Sequence, residues 1–475
     1  MYGDVNVTVE DGNLGRSTSS TGTGVHVKVG ASNIGSRTPI LMKGTYSAKE
    51  IEALVGKTPL ADACMDAIEG GAGTFYALPV APKTQGTTGE VAEEKEGDGS
   101  VAVSGTPNNA YELTVEILDG GGLNEGSFQV SLDGGATFGD ETTIPEGGTV
   151  ELTGTGLTLT FSVAPEGTGF VSGDRFTVST TAPVMNNQDV LDAVVSLRNF
   201  SQEFEFVHIV GASGKALWAS LVTLADDYLT KYKRPLFFVC EARLPEAEES
   251  AKEYADAMAE ERKGIASRYL QVVCAPVKFA RMDGRTQVIN LAGYLTGFYA
   301  RARESQSIGE VRTFQISEAK VLALLPDGIE DYVEALDGEK FLTVRRYVGL
   351  ENYYVTSANM MSQDGSDYLY AEDVRVSNRL VKAVRAQALQ ELQVEIDPGA
   401  VETSVAVIQE NLMIPVEEAM DDGIISSGTV VIDTADLNIL VDEALDVRIT
   451  YVPMGHVRAI NLTFAVENPY TSGEE

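Results

Sequence analysis

The sequence predicts a multi-domain chain of α+β and α/β type, with mixed sheets and helices, an inserted all-β sandwich and extended arms at both ends. Three observations carry this reading. Strand-like and helix-like segments alternate on both sides of residues 85–184, as they do where helices pack on a partly parallel sheet. Within 85–184 the rhythm changes to short strands separated by Gly and Asp turns, the pattern of a small antiparallel sandwich. Both ends of the chain alternate apolar and polar residues with no obvious partner strand. At 475 residues, about two to four units are expected, and a hydrophobic content of 43% suffices for real cores.

Residues 1–24 read as an N-terminal extended arm, with Val5, Val7 and Val9 alternating and Ser17–Gly24 a run of Ser, Thr and Gly. A discontinuous α/β domain then spans 25–84 and 185–340. In it Val25–Val29 alternates as a strand, Ser47-Ala-Lys-Glu50 fits a capping box, and Pro59–Glu69 is helical. Gly70–Val80 reads as a turn feeding a strand, and residues 84–99, rich in Gly, Thr and Glu, as a flexible linker. Tyr111–Leu118, Ser127–Leu132, Thr149–Leu152, Leu157–Val163 and Arg175–Thr180 supply the strands of the surface-exposed insertion, 85–184. Beyond the helical Asn187–Asn199, the strands Phe204–Val210, Pro235–Glu241 and Tyr269–Cys274 alternate with the helices Lys215–Tyr232 and Glu246–Lys263. Val288–Arg303 reads as a helix in which Gly293 and Gly297 permit close packing. A C-terminal α+β domain, 341–452, holds strand pieces and a helix from Asp373 to Gln393. Asp446–Val452 and Val457–Val466 read as strands about a Pro453-Met-Gly455 reversal, with 453–475 as a C-terminal arm. Such edges expose unpaired backbone groups, which soluble proteins cover and polymerising proteins use.

Charge narrows the partners. A formal net charge of −35 argues against nucleic acid, which needs a cationic surface, and favours subunits that stay soluble before assembly. The block Gly86–Pro183 carries sixteen acidic residues against Lys95 and Arg175, whereas Val374–Leu392 is locally basic with Arg375, Arg379, Lys382 and Arg385. No apolar run approaches the roughly 18–20 residues of a membrane span. The Met-Tyr-Gly-Asp start lacks the basic and apolar regions of a signal peptide, so the expectation is a cytoplasmic chain without membrane insertion. Cys64, Cys240 and Cys274 suit buried thiols in a reducing compartment.

Little in the sequence suggests catalysis. His26, His208 and His456 have no Cys, His or carboxylate at ligand spacing, so the expectation is no metal, no cofactor and no enzyme activity. Gly211-Ala-Ser-Gly-Lys215 follows a strand and opens a helix, but it lacks the full phosphate-loop spacing and has Ala216 after the lysine. Asp364-Gly-Ser-Asp367 lacks the acidic spacing of a calcium loop. Ser131-Leu-Asp-Gly-Gly-Ala-Thr-Phe138 resembles the Asp-box hairpin, a fold element in which Ser and Asp close a tight turn. Two other classes stay open: a soluble α/β enzyme with an accessory β domain, and a glycan-binding surface protein.

The layout resembles the tail sheath proteins of contractile phages and related particles. The clearest stretch runs from Arg346-Tyr-Val-Gly-Leu-Glu-Asn352 through Asp364–Leu380, where Asp373-Val-Arg-Val-Ser-Asn-Arg-Leu stands at the start of a basic helix; Arg375-Val376 replaces the usual paired Arg-Arg. The insertion, ending in Phe170-Val-Ser-Gly-Asp-Arg-Phe176, is similar to the module of a subgroup of phage sheath-like proteins. The resemblance implies a structural subunit that polymerises helically around an inner tail tube and contracts to drive it through a cell envelope. It implies a virion tail assembled in the bacterial cytoplasm, DNA ejection, and baseplate and tail terminator proteins as partners besides the chain itself. It places strand exchange on Val5, Val7, Val9, Val457, Ile460, Leu462, Phe464 and Val466, and inner-tube contact on Arg375, Arg379, Lys382 and Arg385.

Overall fold

The computed structural model describes residues 23–35, 38–165, 167–435 and 437–466. Val5, Val7 and Val9 therefore lie outside the described residues. The body is built on a six-stranded sheet in the spatial order Leu270–Val273, Phe237–Glu241, Phe206–Ala212, His26–Ala31, Thr74–Val80, Ile40–Lys43. The first five strands run parallel, and Ile40–Lys43 closes one edge antiparallel. Strands buried on both faces need near-continuous apolar runs, which Phe206-Val-His-Ile-Val and Phe237-Phe-Val-Cys supply. Helices Lys215–Thr230 and Ala251–Arg262 provide the crossovers, the second opened by a complete Ser250/Glu253 capping box. The expected Ser47/Glu50 box is likewise formed at Ala48–Val55.

Helix Pro59–Glu69 packs on helix Ala292–Arg301 through glycines. A Cβ on Gly297 would stand 2.3 Å from Ala67 O and 2.5 Å from Gly70 C, so the two backbones approach as only glycine allows. The helix expected from Val288 starts at Ala292 instead. Thr286–Asn290 is a strand paired with Pro276–Ala280, and Asn290 turns the chain by accepting from the Ala292 N–H.

The insertion enters and leaves by a paired stalk, in which Val184 N donates to Thr84 O and Thr181 N to Thr87 O. It contains a three-stranded and a five-stranded sheet around its own core, including Leu113, Val115, Phe128, Phe161, Phe170 and Phe176. Residues 84–99 are not the free linker expected. Ala92–Glu94 pairs with Arg175–Thr177, and the buried Asp174 accepts from the N–H groups of Glu96, Gly97 and Val171. The Gly-Asp-x-Phe motif thus closes the sandwich: Asp174 satisfies three backbone donors while Phe176 fills the core.

The C-terminal unit differs most from expectation. Helix Ala371–Ala388 is followed by a second, longer helix, Val401–Asp421, and by the strand Ile425–Ile432. Val447–Pro453 pairs antiparallel with Ile425–Ile432, not with Val457–Val466. No reversal forms at Pro453-Met-Gly455; residues 454–466 continue without secondary structure. Val376, Leu380 and Val384 meet Val405, Ile408, Leu412 and Val416 in the core beneath the two-stranded sheet.

Candidate assembly surfaces

The basic helix Ala371–Ala388 joins the C-terminal unit to the body through ion pairs. Arg375 is buried, and its guanidinium donates to both Glu205 oxygens at 2.5 and 3.1 Å. Its remaining donors reach Tyr299 O, Ala302 O and Arg303 O at 3.0 to 3.2 Å, satisfying carbonyls where helix Ala292–Arg301 ends. Burial works against this cation, but Glu205 outweighs it and raises the Arg375 pKa above its ordinary value. Arg379 bridges Glu304 at 3.1 Å and Asp422 at 2.5 Å. Burial opposes the Glu304 carboxylate, yet the bond from Thr23 and the Arg379 charge hold its pKa below the usual range. Lys382 donates to Phe204 O at 2.7 Å and stands 3.6 Å from Glu203.

Three of the four residues assigned to tube contact thus have partners inside the chain. Arg375 is enclosed, and Arg379 and Lys382 are engaged within the chain, because Glu203, Glu205 and Glu304 come from distant segments that no local pattern places beside the helix. Arg385 is exposed. The neighbouring helix Val401–Asp421 turns an acidic and apolar face outward, with Val407 and Ile414 exposed beside Glu410 and Glu417.

The C-terminal arm leaves this joint in an extended course. His456 Nε2 donates to Ser305 O at 2.9 Å, and Arg458 donates to the buried Glu372 while lying 3.5 Å from the centre of the Tyr370 ring. Beyond this root, Ile460, Leu462, Phe464 and Val466 are between 73% and 102% exposed, one at every second position. Among the described residues, the two-stranded sheet of Ile425–Ile432 and Val447–Pro453 has no further strand on either edge. Val431 and Val452 are also exposed there.

The other sequence signals resolve into structure. His208 is buried, accepting from Lys28 Nζ at Nδ1 and donating from Nε2 to Glu241, both at 3.0 Å. Burial, reinforced by Lys28, lowers its pKa well below the ordinary imidazole value. Burial also raises Glu241 to about 7 and lowers Lys28 to about 8. His26 stacks between Phe75 and Phe206. The three cysteines are free and buried, with burial raising Cys64 to about 12. At the Gly211–Lys215 turn, Glu261 accepts from the Lys215 N–H at 2.9 Å, so a carboxylate already occupies the place a phosphate would take. Asp364 pairs with Lys340. Among the described residues no group of three or more His, Cys, Asp or Glu is arranged to hold a metal, and no helix is long and apolar enough to cross a membrane.

The Asp box closes as its sequence implies. Ser131 Oγ donates to Asp133 and accepts from the Gly135 N–H; Thr137 donates to Asp133 from both N and Oγ1. Asp133 Oδ2 also accepts from the Thr286 N–H of the body at 3.1 Å. Asn109 of the insertion donates to Asp62, itself paired with Arg285, and Gln287 donates to Ala110 O. The hairpin therefore fastens the module to the body.

Comparisons with known proteins agree with this architecture. The model of the family described as DUF2586, N-terminal domain, matches residues 2–359, and that of DUF2586, C-terminal domain, matches residues 367–471. No curated protein matches the sequence. The sheath complex of an extracellular contractile injection system, PVC, in its contracted state is 12% identical with a TM-score of 0.53, covering 98% of both chains. A chain of the anti-feeding prophage (AFP) baseplate in its contracted state is 9% identical with a TM-score of 0.53, covering 99% of this chain and 98% of that one. A sheath tail protein from Desulfitobacterium hafniense is 12% identical over 96% of this chain and 100% of its own; its TM-score of 0.49 carries no weight. At such identities the likeness establishes a fold, the mixed α+β fold of contractile sheath subunits.

Proposed function

This chain belongs to the DUF2586 family, and from that premise we propose that it is the structural subunit of a contractile tail sheath, polymerising helically around an inner tube and shortening to drive the tube through a cell envelope. The observation that carries the reading is the C-terminal arm. Burying four side chains such as Ile460, Leu462, Phe464 and Val466 is worth roughly 6–12 kcal/mol, at about 1.5–3 kcal/mol each. A strand pattern held out in water, in a chain whose two-stranded sheet has no further strand on either edge among the described residues, suits addition to a neighbouring copy's sheet. The sheath fold supports the same reading.

The body and the ion-paired joint would move as one piece, with the arms keeping copies connected while the pieces rotate. The work of shortening comes from the free-energy difference between two packings, without nucleotide hydrolysis. Baseplate and terminator proteins cap the polymer, and the assembled chain resides in a tail or tail-like injection device. On the basic helix, tube contact rests on Arg385. Deleting residues 459–475, which leaves the Arg458–Glu372 bond in place, tests the proposal. The truncated chain is expected to stay folded and monomeric where the full chain forms hollow tubes under electron microscopy. Normal tubes from the truncated chain would refute it.

A further inference from the structure

The two terminal segments leave the body at one place. Thr23 Oγ1 donates to Glu304 Oε1 at 2.5 Å, and the Gly24 N–H donates to Glu205 Oε2 at 2.7 Å. At the other end, His456 donates to Ser305 O and Arg458 to Glu372. Glu304 and Ser305 are consecutive residues, and Glu372 precedes Arg375 by one helical turn. Arg375 holds Glu205 and Arg379 holds Glu304. Each carboxylate that grips the N-terminal root is thus gripped in turn by the helix whose first turn grips the C-terminal root.

We infer that this cluster is a single junction coupling the exit directions of both terminal segments, with Glu205, Glu304, Arg375 and Arg379 as its positioning residues. The physical reason is that none of the bonds is independent. Glu205 and Glu304 are buried, so neither carboxylate can turn toward one root without losing geometry to its arginine. Glu372 is buried as well, and among the described residues its Oε2 has no hydrogen-bond partner, which makes Arg458 the group that satisfies this side chain. Displacing Arg458 would leave this buried carboxyl without its hydrogen-bond donor. The coupling is a property of the single chain; only its consequence rests on the sheath reading. In a polymer whose arms run to different neighbours, a pull on one arm would reorient the other.

Hydrogen exchange at the Gly24 amide of the full-length monomer tests this, with strand Phe206–Ala212 as a control for folding and the side-chain NMR signals of His456 and Arg458 reporting the other root. Arg379→Gln is expected to speed exchange at Gly24 on the order of tenfold and to shift the His456 and Arg458 signals with it. His456→Ala lies on the exposed root and disturbs no core packing; it is expected to speed exchange at Gly24 several-fold while the control strand keeps its protection. Exchange at Gly24 unchanged in His456→Ala, with the Arg458 signal shifted, would overturn the inference by showing two independent roots. Failure of the chain to form tubes would count against the sheath reading alone.

Discussion

Replacing Arg375 by Met distinguishes an internal clasp from a surface contact. The side chain donates five hydrogen bonds, two to Glu205 and three to carbonyls, and lies over the Tyr299 ring at 5.3 Å. Methionine fills much of the volume but takes the hydrogen-bonded counter-cation from the buried Glu205 carboxylate, leaving the Gly24 N–H as its hydrogen-bond donor among the described residues. Breaking a buried pair from one side costs about 3–5 kcal/mol. The chain has one tryptophan, Trp218, buried in helix Lys215–Thr230, so its fluorescence in a urea titration follows the body. With a slope of about 3 kcal/mol/M, the midpoint should fall by about 1–1.7 M. Adding Glu205→Gln should recover a substantial part of the loss, because the uncompensated charge is then gone. A midpoint within about 0.3 M of wild type, equivalent to less than about 1 kcal/mol at that slope, would refute the burial argument and return Arg375 to the surface.

Other perturbations follow from the same geometry. Gly297→Ala should cost at least about 1–3 kcal/mol in the same titration, since its Cβ meets backbone atoms that cannot give way. Arg385→Ala should leave stability within about 0.5 kcal/mol, because the side chain is exposed. Glu241 titrates at about 7 in the folded chain against 4.5 for an ordinary glutamate, so the folded state holds its proton more tightly. Its contribution is fully present below pH 4.5 and is lost as pH rises through 7, up to on the order of 3 kcal/mol. Urea midpoints measured at about pH 5 and about pH 8 should therefore differ less in Glu241→Gln than in wild type. Asp133→Ala should loosen the insertion from the body, seen as faster proteolysis of the 84–184 stalk with the body intact.

Local rules made much of the fold legible. Pro59–Glu69 begins at a proline and ends before glycines, so its limits could be read from the chain alone. The strands of the insertion are bounded by Gly and Asp turns, and the Asp box carries its own closing bonds. The helix Val401–Asp421 escaped the sequence reading although Val405, Ile408, Leu412 and Val416 recur at helical spacing; Pro415 within it and no side-chain cap at its start weaken that signal. Without that helix Ile425–Ile432 is hidden too, which is why Val447–Pro453 reads from sequence as a strand lacking a partner. The internal pairing of the basic helix was hidden for another reason. A helix with four basic residues in an acidic chain looks like a surface for a charged partner, but the partners are Glu203, Glu205 and Glu304 of the same chain, more than seventy positions away. Side-chain spacing along one helix carries no information about such pairs.

The central claim is that Val457–Val466 completes a sheet in another copy. A helical reconstruction of the assembled chain by electron cryo-microscopy tests it most directly. Hollow tubes are expected in which Val457–Val466 is a strand hydrogen-bonded to an open edge of the Ile425–Ile432/Val447–Pro453 sheet of a neighbour. Tubes in which this segment lies against its own subunit, or is bonded to no sheet, would contradict it.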